Sequence, residues 1–165
     1  MTYTEEQCDI TTIDKTQYAV GHCIAADLNW GGGIAPIVIR KMYDAENECR
    51  YKCSTNPDGC RIDLAAGQIL VIRNEKGILI NLITKTHSWD KPTYLSITRS
   101  IVKMRDYMLE TGLKKLCIPY IGCGIDRLEW EVVSNIVRGV FCDTDIEVKV
   151  VYMNEKKIVK EQSNG

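Results

Sequence analysis

The feature that most constrains the fold is a run of three glycines, Gly31-Gly32-Gly33, between a strand-like segment and a helix-period one. Before it, Gln17-Tyr18-Ala19-Val20-Gly21-His22-Cys23-Ile24 reads as a buried strand. After it, Ile34 to Met42 spaces its apolar residues as a helix does. Strand, tight glycine loop and helix, in that order, is a unit from which open α/β sheets are assembled. Without Cβ atoms the loop's backbone N–H groups can approach a ligand, and a following helix N-terminus adds partial positive charge. The position favours a phosphate or pyrophosphate guest.

The rest of the chain repeats the alternation. Gln68–Arg73 and Ile78–Thr84 read as a hairpin around Asn74-Glu75-Lys76-Gly77. Lys115–Pro119 and Ile146–Tyr152 are the later strands. Thr93 to Glu110 places Tyr94, Ile97, Ile101, Met104 and Met108 on one helical face and ends at Thr111-Gly112, where Gly suits the residue past a helix. Tyr94, at the start of that face, is expected in the core. A third helix, about Glu129 to Cys142, carries Val133, Ile136, Val137 and Val140. Strands alternating with helices imply an α/β fold with its sheet covered on both faces. One domain over residues 1–153 and a polar tail over 154–165 are expected; Glu46 to Asp63 reads as a helix end plus loop.

Charge excludes some function classes. With 21 basic and 22 acidic residues in 165, the chain has no bulk field to draw in nucleic acid or an anionic membrane. No apolar run reaches the roughly 18 residues of a membrane span. Met1–Glu6 has neither the basic nor the apolar region of an export signal, so an intracellular protein is expected. The eight cysteines then read as thiols rather than a disulfide framework; Cys8, Cys23, Cys117 and Cys142 lie in or beside apolar runs. Cys49, Cys53 and Cys60 are spaced unlike a zinc finger or ribbon and lack an evident fourth ligand, so no metal and no cofactor is expected. No apolar stripe is left over for an oligomer, so a monomer is expected.

A second glycine turn, Ile121-Gly122-Cys123-Gly124-Ile125-Asp126-Arg127, follows the Lys115–Pro119 strand and precedes the last helix. Ligands of open α/β sheets bind beyond the C-terminal ends of strands, so two such loops can close on a diphosphate from opposite sides. Neither loop is a Walker sequence, since no Gly-Lys-Ser/Thr follows, and neither completes the dinucleotide fingerprint.

These stretches resemble the macrodomain family, which binds ADP-ribose. The matching residues are His22-Cys23-Ile24 with Gly31–Ala35, Leu82-Ile83-Thr84-Lys85 with Lys91-Pro92-Thr93-Tyr94, Pro119 with Ile121–Leu128 and Trp130-Glu131, and Asp143–Ile146. The Leu-Ile-Thr-Lys and Gly-Cys-Gly-Ile-Asp-Arg segments are similar to the branch of terminal ADP-ribose protein glycohydrolases. The likeness spans about residues 2–153 and is weakest over Glu46–Leu64. It implies a mixed, mostly parallel sheet between helices. It also implies that Asp9 contacts the adenine amino group, although this chain has Cys8 where most of the family has glycine. By the same resemblance Gly31, Gly32, Gly33 and Ile34, with Gly122, Cys123, Gly124 and Ile125, hold the diphosphate and distal ribose. Ile10, His22, Asp27, Asn29, Trp30, Ala35, Thr84, Pro119 and Ile121 complete the implied ligand contacts, and Lys85 and Asp126 are the implied catalytic pair.

The implied reaction releases ADP-ribose from ADP-ribosyl esters, on protein Glu/Asp or in O-acetyl-ADP-ribose. An amine partly removed from water can attack a sugar carbon, and a neighbouring carboxylate can take and return the proton. Other readings of single residues stay open. Lys85 alone reads as an exposed strand-end lysine, Asp126 as a helix N-cap, and His22 as a hydrogen-bonded core histidine. Asp27 and Asn29 can bond ribose hydroxyls or form the turn, Trp30 can cover the ribose or pack, and His87 can touch substrate or stay solvated. Two alternative functions remain, an ADP-ribose 1″-phosphate phosphatase and a non-catalytic ADP-ribose-binding module. A related activity on nucleic-acid bases fits the near-neutral charge poorly.

Overall fold

The computed structural model describes residues 1–54 and 64–153. Its six strands are β1 (Thr2–Gln7), β2 (Ala19–Ala25), β3 (Gln68–Asn74), β4 (Gly77–Lys85), β5 (Lys115–Ile118) and β6 (Glu147–Tyr152). They form one sheet in the order β1-β6-β5-β2-β4-β3. Only the β3–β4 pair is antiparallel, which makes the sheet mixed and mostly parallel as expected. The hairpin closes with Asn74 opposite Gly77, around Glu75-Lys76.

Period-two alternation divides the core between the two faces of the sheet. Leu79 and Ile83 of β4, Val20 of β2 and Cys117 of β5 face one side; they meet a π-helical segment (Ile37–Met42) and α1 (Glu46–Ser54) through Val38, Ile39, Tyr43 and Cys49. Ile80 and Leu82 of β4, Leu116 and Ile118 of β5, and Val148 and Val150 of β6 face the other side. There they meet α2 (Tyr94–Thr111) and α3 (Trp130–Phe141). Gly21 sets how closely α2 lies on β2, since a Cβ there would come within 2.8 Å of Met104 Sδ.

α2 begins and ends as its sequence directs. Thr93 and Ser96 form a capping box, and Gly112 closes the helix at φ 72°. Ile97, Ile101, Met104 and Met108 are buried, but Tyr94 is not in the core. It is on the first turn, at the helix end, where its hydroxyl accepts from the Glu129 N–H at 3.2 Å. The helix expected from Ile34 winds as a π-helix over Ile37–Met42. β1 has no counterpart in the sequence reading. It is an edge strand whose side chains are exposed apart from half-buried Tyr3, so it shows no apolar alternation. The polar tail from residue 154 lies outside the described residues, as does Cys60 of the cysteine triplet; Cys49 is buried. Among the described residues no helix is long and apolar enough to cross a membrane.

Candidate active site

A cleft of about 1490 Å³ runs across the C-terminal ends of the parallel strands. Ile24 and Ala25 of β2, Lys85 of β4, the Pro119–Asp126 loop after β5, and Val151 and Tyr152 of β6 line it, together with Cys8-Asp9-Ile10 after β1. Strand polarity is the cause: parallel strands deliver all their outgoing loops to one edge.

The first glycine loop is fixed at its root. Both Asp27 carboxylate oxygens are used by backbone donors, the Asn29 N–H at 3.0 Å and the Ser88 N–H at 2.8 Å. Asp27 therefore ties this loop to the segment after β4 and does not itself line the cleft. Trp30 packs in the core beneath the Arg50 guanidinium, 5.0 Å from its ring centroid, while still bordering the cleft.

The second loop is a compact turn, with Cys123 N–H donating to Tyr120 O at 3.1 Å and Leu128 N–H to Gly122 O at 2.8 Å. Gly122 is required there: its φ is 74°, and a Cβ would meet Ile97 Cδ1 at 2.9 Å. The two loops touch through Ile125, whose Cδ1 is 3.1 Å from where a Cβ on Gly33 would stand.

Lys85 and Asp126 meet where the loops converge. Lys85 Nζ is 2.6 Å from Asp126 Oδ1, and the side chains are only 12% and 15% exposed. Lys85 is thus not a solvent-exposed strand-end lysine. Asp126 is not a helix cap either, since the residue at the head of α3 is Glu129. At the opposite end, Asp9 Oδ1 accepts from Thr11 N–H at 2.9 Å and from the Thr11 hydroxyl at 2.8 Å, which holds its carboxyl below the usual carboxylate range. Cys8 is not among the residues with positive φ, so its backbone makes no demand for glycine.

Asn29, Gly31, Gly32, Gly33, Ile34, Ala35, Pro119, Ile121, Cys123, Gly124 and Ile125 all line the cleft, as do Asp9, Ile10 and Trp30. His22 and Thr84 do not. Both are buried within the sheet, Thr84 1% exposed and His22 fully enclosed. His22 Nε2 lies 2.5 Å from Asn81 Oδ1, and Asn81 Nδ2 donates to Leu70 O at 2.9 Å. Burial pushes the His22 imidazole down to about 4, opposed by the Asn81 bond. It is a neutral core histidine. His87 stays on the surface, bonded to Asp90 and stacked on Trp89 at 4.5 Å. Cys23 borders the cleft, but burial, reinforced by the Asp126 charge, pushes its thiol up to about 12, so it is a poor nucleophile.

Three aromatic lining residues, Tyr120, Trp130 and Tyr152, are missing from the ligand contacts that the sequence implied, although Trp130 stands in a matched segment. Tyr120 stacks on Trp130 at 4.5 Å and on Tyr152 at 5.3 Å, and the Trp130 indole N–H donates to Glu5 at 2.6 Å. They come from three separate elements, and no local spacing links them.

No family model matches the chain. Among curated proteins it is 32% identical over 142 residues to the human ADP-ribose glycohydrolase OARD1, covering 86% of each chain. Among solved structures it is similar to the macrodomain of Mycobacterium tuberculosis DarG, with TM-score 0.77, 19% identity and 91% and 97% coverage of this chain and that one. Thermosipho africanus DarTG, solved in complex with ADP-ribose, superposes with TM-score 0.76 at 18% identity, over 98% of this chain and 44% of that one. Identity to a curated glycohydrolase over most of both chains, on a fold shared with these macrodomains, places this chain in the macrodomain family, in the branch of the ADP-ribose glycohydrolases.

Proposed function

We propose that the protein hydrolyses ADP-ribosyl esters, freeing ADP-ribose from modified Glu or Asp side chains and from O-acetyl-ADP-ribose. The observation that carries this reading is the Lys85–Asp126 pair, largely withdrawn from water where two glycine loops converge. In this reading Asp9 and Ile10 receive the adenine end. The loops Gly31–Ile34 and Gly122–Ile125 hold the diphosphate and distal ribose through backbone N–H groups. The curated relative's name supports the same chemistry.

The steps follow from the pair's geometry. Attack needs the neutral amine, and Asp126 at 2.6 Å is placed to take the proton. Lys85 Nζ then forms a bond to the anomeric C1″, and the C1″–O bond breaks with its electron pair leaving on the carboxylate. Water next adds its oxygen to C1″ as the C–N bond breaks; Asp126 returns its proton to the departing amine, then takes the proton that the water loses and passes it to solvent. A pure binding module has no need of a desolvated lysine–aspartate pair. A phosphatase acting on the 1″-phosphate has no use for an amine nucleophile. Site of action inside the cell and a monomeric state belong to the same proposal.

The test is calorimetry with ADP-ribose beside a release assay on glutamate-linked ADP-ribosyl protein and on ADP-ribose 1″-phosphate, with EDTA present. Release from the ester under chelation supports the proposal, since every step uses only Lys85, Asp126 and water. Tight ADP-ribose binding with no release would make the protein a module; phosphate release alone would make it a phosphatase.

A further inference from the structure

The cleft does not end at the catalytic pair. A second hollow of about 300 Å³ opens beyond it and shares Lys85 and Asp126 with the cleft. Its outer wall is Trp89, Asp90, Lys91 and Arg127. If the cleft holds ADP-ribose with its reacting carbon at Lys85, the hollow faces the group that leaves. The chemistry of its wall then describes that group.

The wall carries three cations, Lys85, Lys91 and Arg127, against two carboxylates, Asp90 and Asp126, with the Trp89 indole beside them. Asp126 is engaged by Lys85, and Asp90 by the His87 backbone N–H at 2.9 Å and ring nitrogen at 3.1 Å. Neither Lys91 nor Arg127 forms an ion pair among the described residues. The Trp89 indole is 77% exposed and is backed on one face by His87 at an interplanar angle of 8°, which leaves a flat apolar surface beside two unpaired cations. An acetyl group is far smaller than this hollow. A nucleic-acid strand needs a longer row of cations to follow its phosphates, and the hollow offers two in a chain of net charge −1.

Resting on the hydrolase reading, we infer that this hollow is an acceptor subsite for acidic peptide: Lys91 and Arg127 pair with carboxylates flanking the modified residue, and Trp89 supports the peptide's apolar stems. The protein therefore prefers modified glutamates that lie among other acidic residues.

The test compares two peptides, each with one ADP-ribosylated glutamate, flanked by Glu/Asp in one and by Gln/Asn in the other. O-acetyl-ADP-ribose and an ADP-ribosylated oligonucleotide complete the set. For the wild type the kcat/KM ratio of acidic to neutral peptide should be about tenfold, the scale of two partly exposed ion pairs. It should fall with added salt. In the double variant Lys91→Gln, Arg127→Gln the ratio should collapse toward one. A ratio within one preparation does not depend on how much of the variant is folded. A wild-type ratio near one, an unchanged ratio in the double variant, or faster cleavage of the oligonucleotide than of the acidic peptide overturns the inference. Release from O-acetyl-ADP-ribose with no flank preference removes the subsite and leaves the hydrolase standing. No release from any ester removes both.

Discussion

Two lysine–aspartate pairs occupy opposite edges of the same sheet. Lys85 and Asp126 meet at 2.6 Å with side chains 12% and 15% exposed, beyond the C-terminal ends of the strands. Lys114 and Asp145 meet at 2.9 Å with 58% and 72% exposed, just before β5 and β6 begin. Residue types and spacing in space are nearly the same, and the surroundings differ. The surface pair stays hydrated and is screened by salt, so it does little. The sheltered pair has given up water, a cost that hydrophobic packing would have avoided. The proposed hydrolysis supplies a reason to keep it.

The largest effect that can break this contrast is in turnover. Lys85→Ala should lower ester hydrolysis on the order of a thousandfold or more while ADP-ribose affinity stays within a few-fold. It should also lower unfolding stability by about 1–3 kcal/mol, because Asp126 is left without its partner. Single-turnover assays and denaturant melts read the two effects.

His22 extends the series to a buried group with no counter-charge. Its folded value of about 4 lies below the ordinary 6.5, so the unfolded chain takes up the proton first. Stability should fall as pH drops from about 6.5 and reach a loss of about 3 kcal/mol near pH 4. Melts across that range should be flatter for His22→Gln, whose amide can still donate to Asn81.

A smaller effect tests the cost of sheltering directly. The double change Lys85→Met, Asp126→Leu should abolish turnover yet leave unfolding stability within about 1 kcal/mol of wild type or above it. Clear destabilisation there would mean that the pair holds the loops together. Smallest of all, Lys114→Ala should change neither turnover nor melting midpoint beyond error, at low or high salt.

Local signals in the sequence account for much of the fold. Thr93, Ser96 and Gly112 mark the ends of α2, and Asn74 to Gly77 marks the hairpin, because caps and turns are decided within a few residues. β1 left no such signal: exposed on both faces, it owes its strand conformation to pairing with β6. Tyr94 shows the limit of periodicity, since helical phase places it on the buried face but not how far the core extends. Asp27 carries the same lesson into the site. Its sequence suits a ribose contact, whereas its two oxygens are taken by Asn29 and Ser88 N–H groups, the latter 61 residues away.

By itself the sequence determined the alternation of strands and helices, the two glycine loops and the residue types between them, all properties of short segments and their hydrogen-bonding needs. Tertiary structure alone decided that Lys85 and Asp126, 41 residues apart, meet out of water, that His22 and Thr84 lie inside the sheet, and that Tyr120, Trp130 and Tyr152 gather at the cleft. Burial and long-range distance belong to the packed sheet as a whole, and no window of residues contains them.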